Sequence, residues 1–147
     1  MYRHLLIPTD GSELSAYAID QGLELASRLG ARVTFFTTIE PFPVIAMAAD
    51  PLMYTRDDYR RETSEAAQRH HADAVARAQA LGVDSRSVIV EHGHPDEAIV
   101  EAAAQHGCDL IAMASHGRRG MQAVLLGSVT LKVLTRAALP VLVYRRP

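Results

Sequence analysis

DLIAMASHGRRGMQAVLLGSVT, residues 109–130, runs from a short aliphatic stretch through a glycine-punctuated turn into a segment with the pattern of a helix. Gly117 and Gly127 bracket nine residues, Arg118 and Arg119 among them, and Ser128 follows where the helix should start. Glycine permits positive φ and close approach of an anion to main-chain N–H groups, and a helix N-terminus adds unsatisfied donors and positive dipole. The arrangement predicts an anion cradle at the end of a strand. In it Ser128 and Thr130 would offer hydroxyl hydrogens, each charge-assisted contact contributing about 1.5 to 3 kcal/mol. The alternative is that both glycines only shape a turn.

The same pattern repeats on either side. RHLLIPTDGS, residues 3–12, is an aliphatic run stopped by Pro8, Asp10 and Gly11, and Ser12 is placed to cap a helix whose stripe is Leu14, Ala18, Leu25 and Leu29, with Gly30 as its stop. ARVTFFTTIE, residues 31–40, is rich in β-branched and aromatic residues and predicts a second strand. Residues 40–53 hold three prolines among Phe42, Val44, Ile45, Met47 and Leu52, an apolar loop that reads as a lid, a partner surface or ordinary packing. A long helix is expected from about Tyr54 to Leu81, with Ala67, His71, Ala74, Val75, Ala78 and Leu81 at helical spacing. SRSVIVEHG predicts strand three, and Pro95, Asp96 and Glu97 open a helix with stripe Ile99, Val100 and Ala103. DLIAMA is strand four, Gly127 to about Arg136 the last helix, and LPVLVYR the last strand.

Strand and helix therefore alternate, and the strands lack polar alternation, which predicts an α/β fold: an open, doubly wound, five-stranded parallel sheet with helices on both faces. Ligands in such sheets bind beyond the carboxyl ends of the strands where the winding reverses. That rule selects the turns after strands one and four.

At 147 residues and 48% hydrophobic, the chain is expected to form one domain, residues 1–147, with a sizeable core. A net charge of -2 excludes a global basic field for nucleic acid, so any anion site must be local. The single cysteine, Cys108, excludes an intrachain disulfide framework and a multi-thiol metal site. With only Leu5, Leu6 and Ile7 as an uninterrupted apolar run before Pro8, neither a signal peptide nor a membrane span is expected, and a cytoplasmic location follows.

Two phosphate motifs are absent: there is no G-x-x-x-x-G-K-[ST], and no G-x-G-x-x-G follows strand one. MASHG resembles a nucleophile elbow with its first glycine replaced, but a hydrolase would need an acid and then a histidine later in the chain, and no histidine follows His116. His116, adjacent to Ser115, is not expected to fold back as its base. His92 and His94 stand near a strand end without the third convergent ligand that zinc sites use, which disfavours a metal site there.

AMASHGRRGMQAVLLGSVTLKVLTRAALPVLVYR resembles the C-terminal signature of the universal stress protein family, whose nucleotide-binding members carry G-x2-G-x9-G-[ST]. Ala114, Gly117, Gly127 and Ser128 stand in that pattern, with alanine in place of the first glycine. LIPTDGSELS is similar to the family's opening strand and turn, and VIVEHGHPDEAIVEAA to its third strand and following helix, so the likeness spans the chain. The resemblance implies strand order 3-2-1-4-5 and ATP held between strands one and four, with Mg²⁺ bound through its phosphates. It implies that Pro8, Thr9 and Asp10 border the adenosine, Thr38 lines the adenine pocket, and Met113 and Ala114 approach base and ribose. Gly117, Gly127, Ser128, Val129 and Thr130 would then meet the phosphates. It further implies a homodimer through the last strand, a nucleotide-dependent stress-response switch with an unknown protein partner, and at most slow ATP hydrolysis. The other reading it allows is a dimeric interaction protein of the same fold that binds no nucleotide.

Overall fold

The computed structural model describes residues 1–42, 55–118 and 125–147. Nearly all of the apolar loop expected at 40–53, and with it the lid or partner surface, lies outside the described residues, as does Arg119. Within them the order is β1 (His4–Pro8), α1 (Glu13–Leu29), β2 (Arg32–Ile39), α2 (Arg56–Ala80), β3 (Ser85–Glu91), α3 (Pro95–Gln105), β4 (Leu110–Ala114), α4 (Ser128–Arg136) and β5 (Val141–Tyr144). The five strands form one parallel sheet in the order β3-β2-β1-β4-β5, as expected. The winding reverses at β1, with β2 paired on one side and β4 on the other.

Successive residues of a strand face opposite sides of the sheet, and in β2 the neighbours Phe35 and Phe36 each anchor a different core. Phe35 packs with Leu5, Ile7, Leu23, Ala74 and Ala78 beneath α1 and α2. Phe36 packs with Leu6, Ile99, Ile111, Met113 and Val133 beneath α3 and α4. Each fully buried phenylalanine contributes about 1.5 to 3 kcal/mol relative to exposure. Together the two layers fix the sheet and hold the β1 and β4 ends side by side.

Helix boundaries follow the local chemistry. Ser12 caps α1 by accepting the Ser15 N–H at 3.2 Å, and Gly30 ends the helix in the left-handed region. The buried stripe of α1 is rotated from the expected one: Ala18, Ile19, Gly22, Leu23 and Ala26 are buried, and Leu25 and Leu29 lie at its margin. The small residues let the helix sit close to the sheet, and this outweighs the leucine count. α2 begins two residues later than expected because Thr55 and Asp58 form a reciprocal capping box. Its buried face is Ala67, His71, Ala74 and Ala78, with Leu81 exposed.

Among the described residues no helix is long and apolar enough to cross a membrane.

Candidate functional site

The turns after β1 and β4 meet at the reversal of winding. Asp10 joins them. Its Oδ1 accepts the Ser12 N–H of its own turn at 2.9 Å, and its Oδ2 accepts the Arg118 N–H of the β4 loop at 2.7 Å. Burial alone would raise its pKa, but hydrogen bonds from Ser12, Arg118 and Ser15 outweigh it and hold the carboxyl below its ordinary value. The group is therefore a half-buried carboxylate. A Cβ at Gly117 would lie 2.7 Å from Asp10 Oδ2, so a side chain there would have to push the carboxylate off its main-chain donors.

Gly127 is explained in the same way. Its N–H donates to Ser115 O at 2.7 Å, and a Cβ there would lie 3.2 Å from both Ser115 O and His116 Cα. Neither Gly117 nor Gly127 has positive φ. The expectation that these glycines supply left-handed backbone is corrected: both serve close approach of chain to chain. Positive φ occurs instead at Gly11, φ 77°, where a Cβ would meet the His70 ring and lie 2.9 Å from Arg118 Nη2.

The opening of α4 forms the opposite part of the crevice. Gly127 is its N-cap, so no side chain caps the helix, and its first turn carries no acid. The other three described helices differ. α1 has the Ser12 cap and Glu13, α2 the Thr55 cap with Asp57 and Asp58, and α3 opens on Pro95 with Asp96 and Glu97. The first N–H groups of α4 thus have neither kind of internal partner. Ser128 is exposed and Val129 half-buried at this end.

Thr130 is a correction. Its hydroxyl donates to Ala114 O at 3.0 Å and the residue is 2% exposed, so it ties α4 to β4 and does not present a hydroxyl hydrogen to the crevice. The Met113 side chain is packed in the core beneath α3 and α4. Ala114 is buried at the end of β4. Pro8 closes β1, and Thr9 turns its hydroxyl under α1, 3.0 Å from Ser15 Oγ. Thr38 is half-buried near the end of β2, paired in register with Val90 of β3, and no hydrogen bond among the described residues ties its side chain to the other predicted residues.

Three sets of contacts were missed in the sequence. Ser115 Oγ and His116 Nδ1 are 2.9 Å apart, so the adjacent histidine does fold back onto the serine. Beneath the β1 turn, Thr37 Oγ1 donates to Thr9 O at 2.7 Å and stands 2.7 Å from His71 Nε2, which leaves Nε2–H as the donor to Thr37. Among the described residues His71 Nδ1 is buried without a hydrogen-bond partner, and burial, with His70 second, lowers the ring's pKa to about 4. The third is the Arg118 main-chain bond to Asp10. Residues so far apart in sequence, or so close that no periodicity applies, leave no pattern to find.

The model of the universal stress protein family matches residues 1–145. This chain belongs to the universal stress protein family. A universal stress protein of Methanocaldococcus jannaschii is 30% identical over 147 residues, covering 100% of this chain and 84% of that one. The solved structure of another M. jannaschii member has a TM-score of 0.83 at 26% identity, covering 100% of this chain and 98% of that one. A universal stress protein solved in complex with cAMP has a TM-score of 0.70 at 28% identity, covering 99% of each chain.

Proposed function

We propose that this universal stress protein binds an adenine nucleotide, ATP with Mg²⁺ on its phosphates, in the crevice between β1 and β4, and that occupancy switches its interaction with a protein partner. Residues 1–147 act as one unit in this reading. The observation that carries it is the contrast among helix openings: α4 alone of the described helices has neither side-chain cap nor first-turn acid, and it stands at the reversal of the winding. The residues fit a phosphate, because Gly127 puts no side chain over those N–H groups and Ser128 is exposed beside them. The complex of a 28% identical universal stress protein with cAMP supports the adenine part of the proposal. Pro8, Thr9, Asp10, Thr38, Met113 and Ala114 border the nucleoside, Met113 through its main chain, and Gly117, Gly127, Ser128, Val129 and Thr130 surround the phosphates, Thr130 through its N–H. Mg²⁺ supplies charge neutralisation when bound.

A ligand that prefers one conformation shifts the population toward it, which is how occupancy reaches a partner surface. β5 is an outer strand of the sheet, with unpaired main-chain groups suited to a second copy, and we assign the homodimer to it. Mass spectrometry of freshly purified, denatured protein and a thermal shift with ATP and Mg²⁺ test the proposal. Co-purifying nucleotide, or a rise in Tm at millimolar ligand, supports it, and the absence of both refutes it.

The second reading, an interaction protein with an empty crevice, is favoured by the apolar exposure of α4 and its approach: Leu125, Leu131 and Leu134 are 76%, 53% and 38% exposed. It predicts partner capture indifferent to nucleotide.

A further inference from the structure

Asp10 supplies the β4 loop with an anion from within the chain. Its Oδ2 holds the Arg118 N–H at 2.7 Å, and the same oxygen fills the space a Gly117 side chain would need. The carboxylate is thus seated on the glycine-bracketed loop, on a main-chain donor of the kind that binds phosphate. A polyphosphate that extends from α4 toward Gly117 meets a fixed negative charge. Arg118 Nη2 stands close to Gly11, as does the His70 ring. Like charges brought together in a partly desolvated crevice repel strongly unless a counter-charge intervenes.

We propose that Asp10 is a charge filter: it refuses a bare polyphosphate at the Gly117–Arg118 segment and admits one only with a divalent cation, while a nucleotide with a single phosphate needs no cation. This deepens the nucleotide reading given above and rests on it. Asp10 is a specificity-determining residue in this account, and Mg²⁺ dependence is a property of the ligand's length.

The test is isothermal titration calorimetry of wild type, Asp10→Asn and Asp10→Glu with ATP in EDTA, ATP with Mg²⁺, and cAMP with and without Mg²⁺. For wild type, Mg²⁺ should tighten ATP at least about tenfold and change cAMP by less than about twofold. For Asp10→Asn the Mg²⁺ gain for ATP should shrink to under about twofold, chiefly because metal-free ATP binds tighter; Asp10→Glu, which keeps the charge, should retain the gain. An undiminished gain in Asp10→Asn, or an equal gain for cAMP in wild type, overturns the filter. If no adenine nucleotide binds any of the three proteins, the nucleotide reading fails, and the filter is judged on inorganic tripolyphosphate alone, followed at the Arg118 amide by NMR. Cation-free binding to Asp10→Asn but not to wild type upholds it, and identical behaviour overturns it. The Arg118 amide resonance also reports that each variant is folded.

Discussion

The hydroxyl of Thr130 donates to the carbonyl of Ala114 at 3.0 Å, so the first turn of α4 hangs from the last residue of β4. Both residues are buried, and losing the donor would leave the Ala114 oxygen without this partner. Thr130→Val should cost about 1 to 3 kcal/mol of stability and Thr130→Ser much less, measured by urea denaturation. Equal losses in the two variants would mean that the methyl group, not the hydrogen bond, matters.

Gly127→Val should destabilise the free protein by about 1 to 3 kcal/mol and abolish the thermal shift with nucleotide, because its side chain strikes the Ser115–His116 backbone before any ligand arrives. A glycine serving only the ligand would leave the Tm of the free protein unchanged. Comparing the two melting curves without ligand decides between these roles.

Gly11 combines φ of 77° with a neighbour, His70, standing where a Cβ would go. Gly11→Ala should cost about 1 to 2 kcal/mol from the left-handed backbone alone, and more from the clash. His70→Ala should recover the clash portion and leave the backbone portion. A double-mutant cycle by chemical denaturation with no coupling would show the ring swinging freely aside.

Acid sensitivity should appear in a defined window. His71 titrates near 6.5 when unfolded and at about 4 when folded, so the unfolded chain binds its proton first. Stability is fully present above pH 6.5 and falls progressively as the pH drops toward 4. His4, lowered chiefly by burial and then by Arg32 and Arg86, acts in the same direction. His71→Gln, which keeps a donor for Thr37 without a titrating ring, should flatten that slope. An NMR titration placing the His71 pKa at its ordinary value would remove the basis of the prediction.

The sheet and its strand order were legible because buried parallel strands are short aliphatic runs, and LLIP, VTFF and LIAMA stand out between helical stripes. The meeting of the turns after β1 and β4 was legible for the same reason, through the reversal at β1. The reasons for individual residues were not. Gly117 and Gly127 look alike in sequence whether they serve a dihedral, a ligand or a neighbour, and only the placement of Asp10 and Ser115 beside them reveals the last. Thr130 likewise carries a donor on the correct helix, yet its inward rotation toward Ala114 depends on where β4 ends. The α1 stripe held at Ala18 and failed where Leu25 and Leu29 outweighed the smaller Gly22 and Ala26, since hydrophobicity ranks residues by size and close packing of a helix on a sheet favours the opposite.

The two margins of the sheet are unlike. Along β3, Arg86 and Glu91 are exposed and Arg60 clasps Glu91 at 3.0 Å, while β5 is an all-aliphatic and tyrosine tetrad, half-buried throughout. A copy joined across β5 by a twofold axis, as proposed above, would consume the margin whose strand carries no charge and leave charged borders at both outer sides. Growth would end there, so high concentration should yield a finite pair and never a fibre.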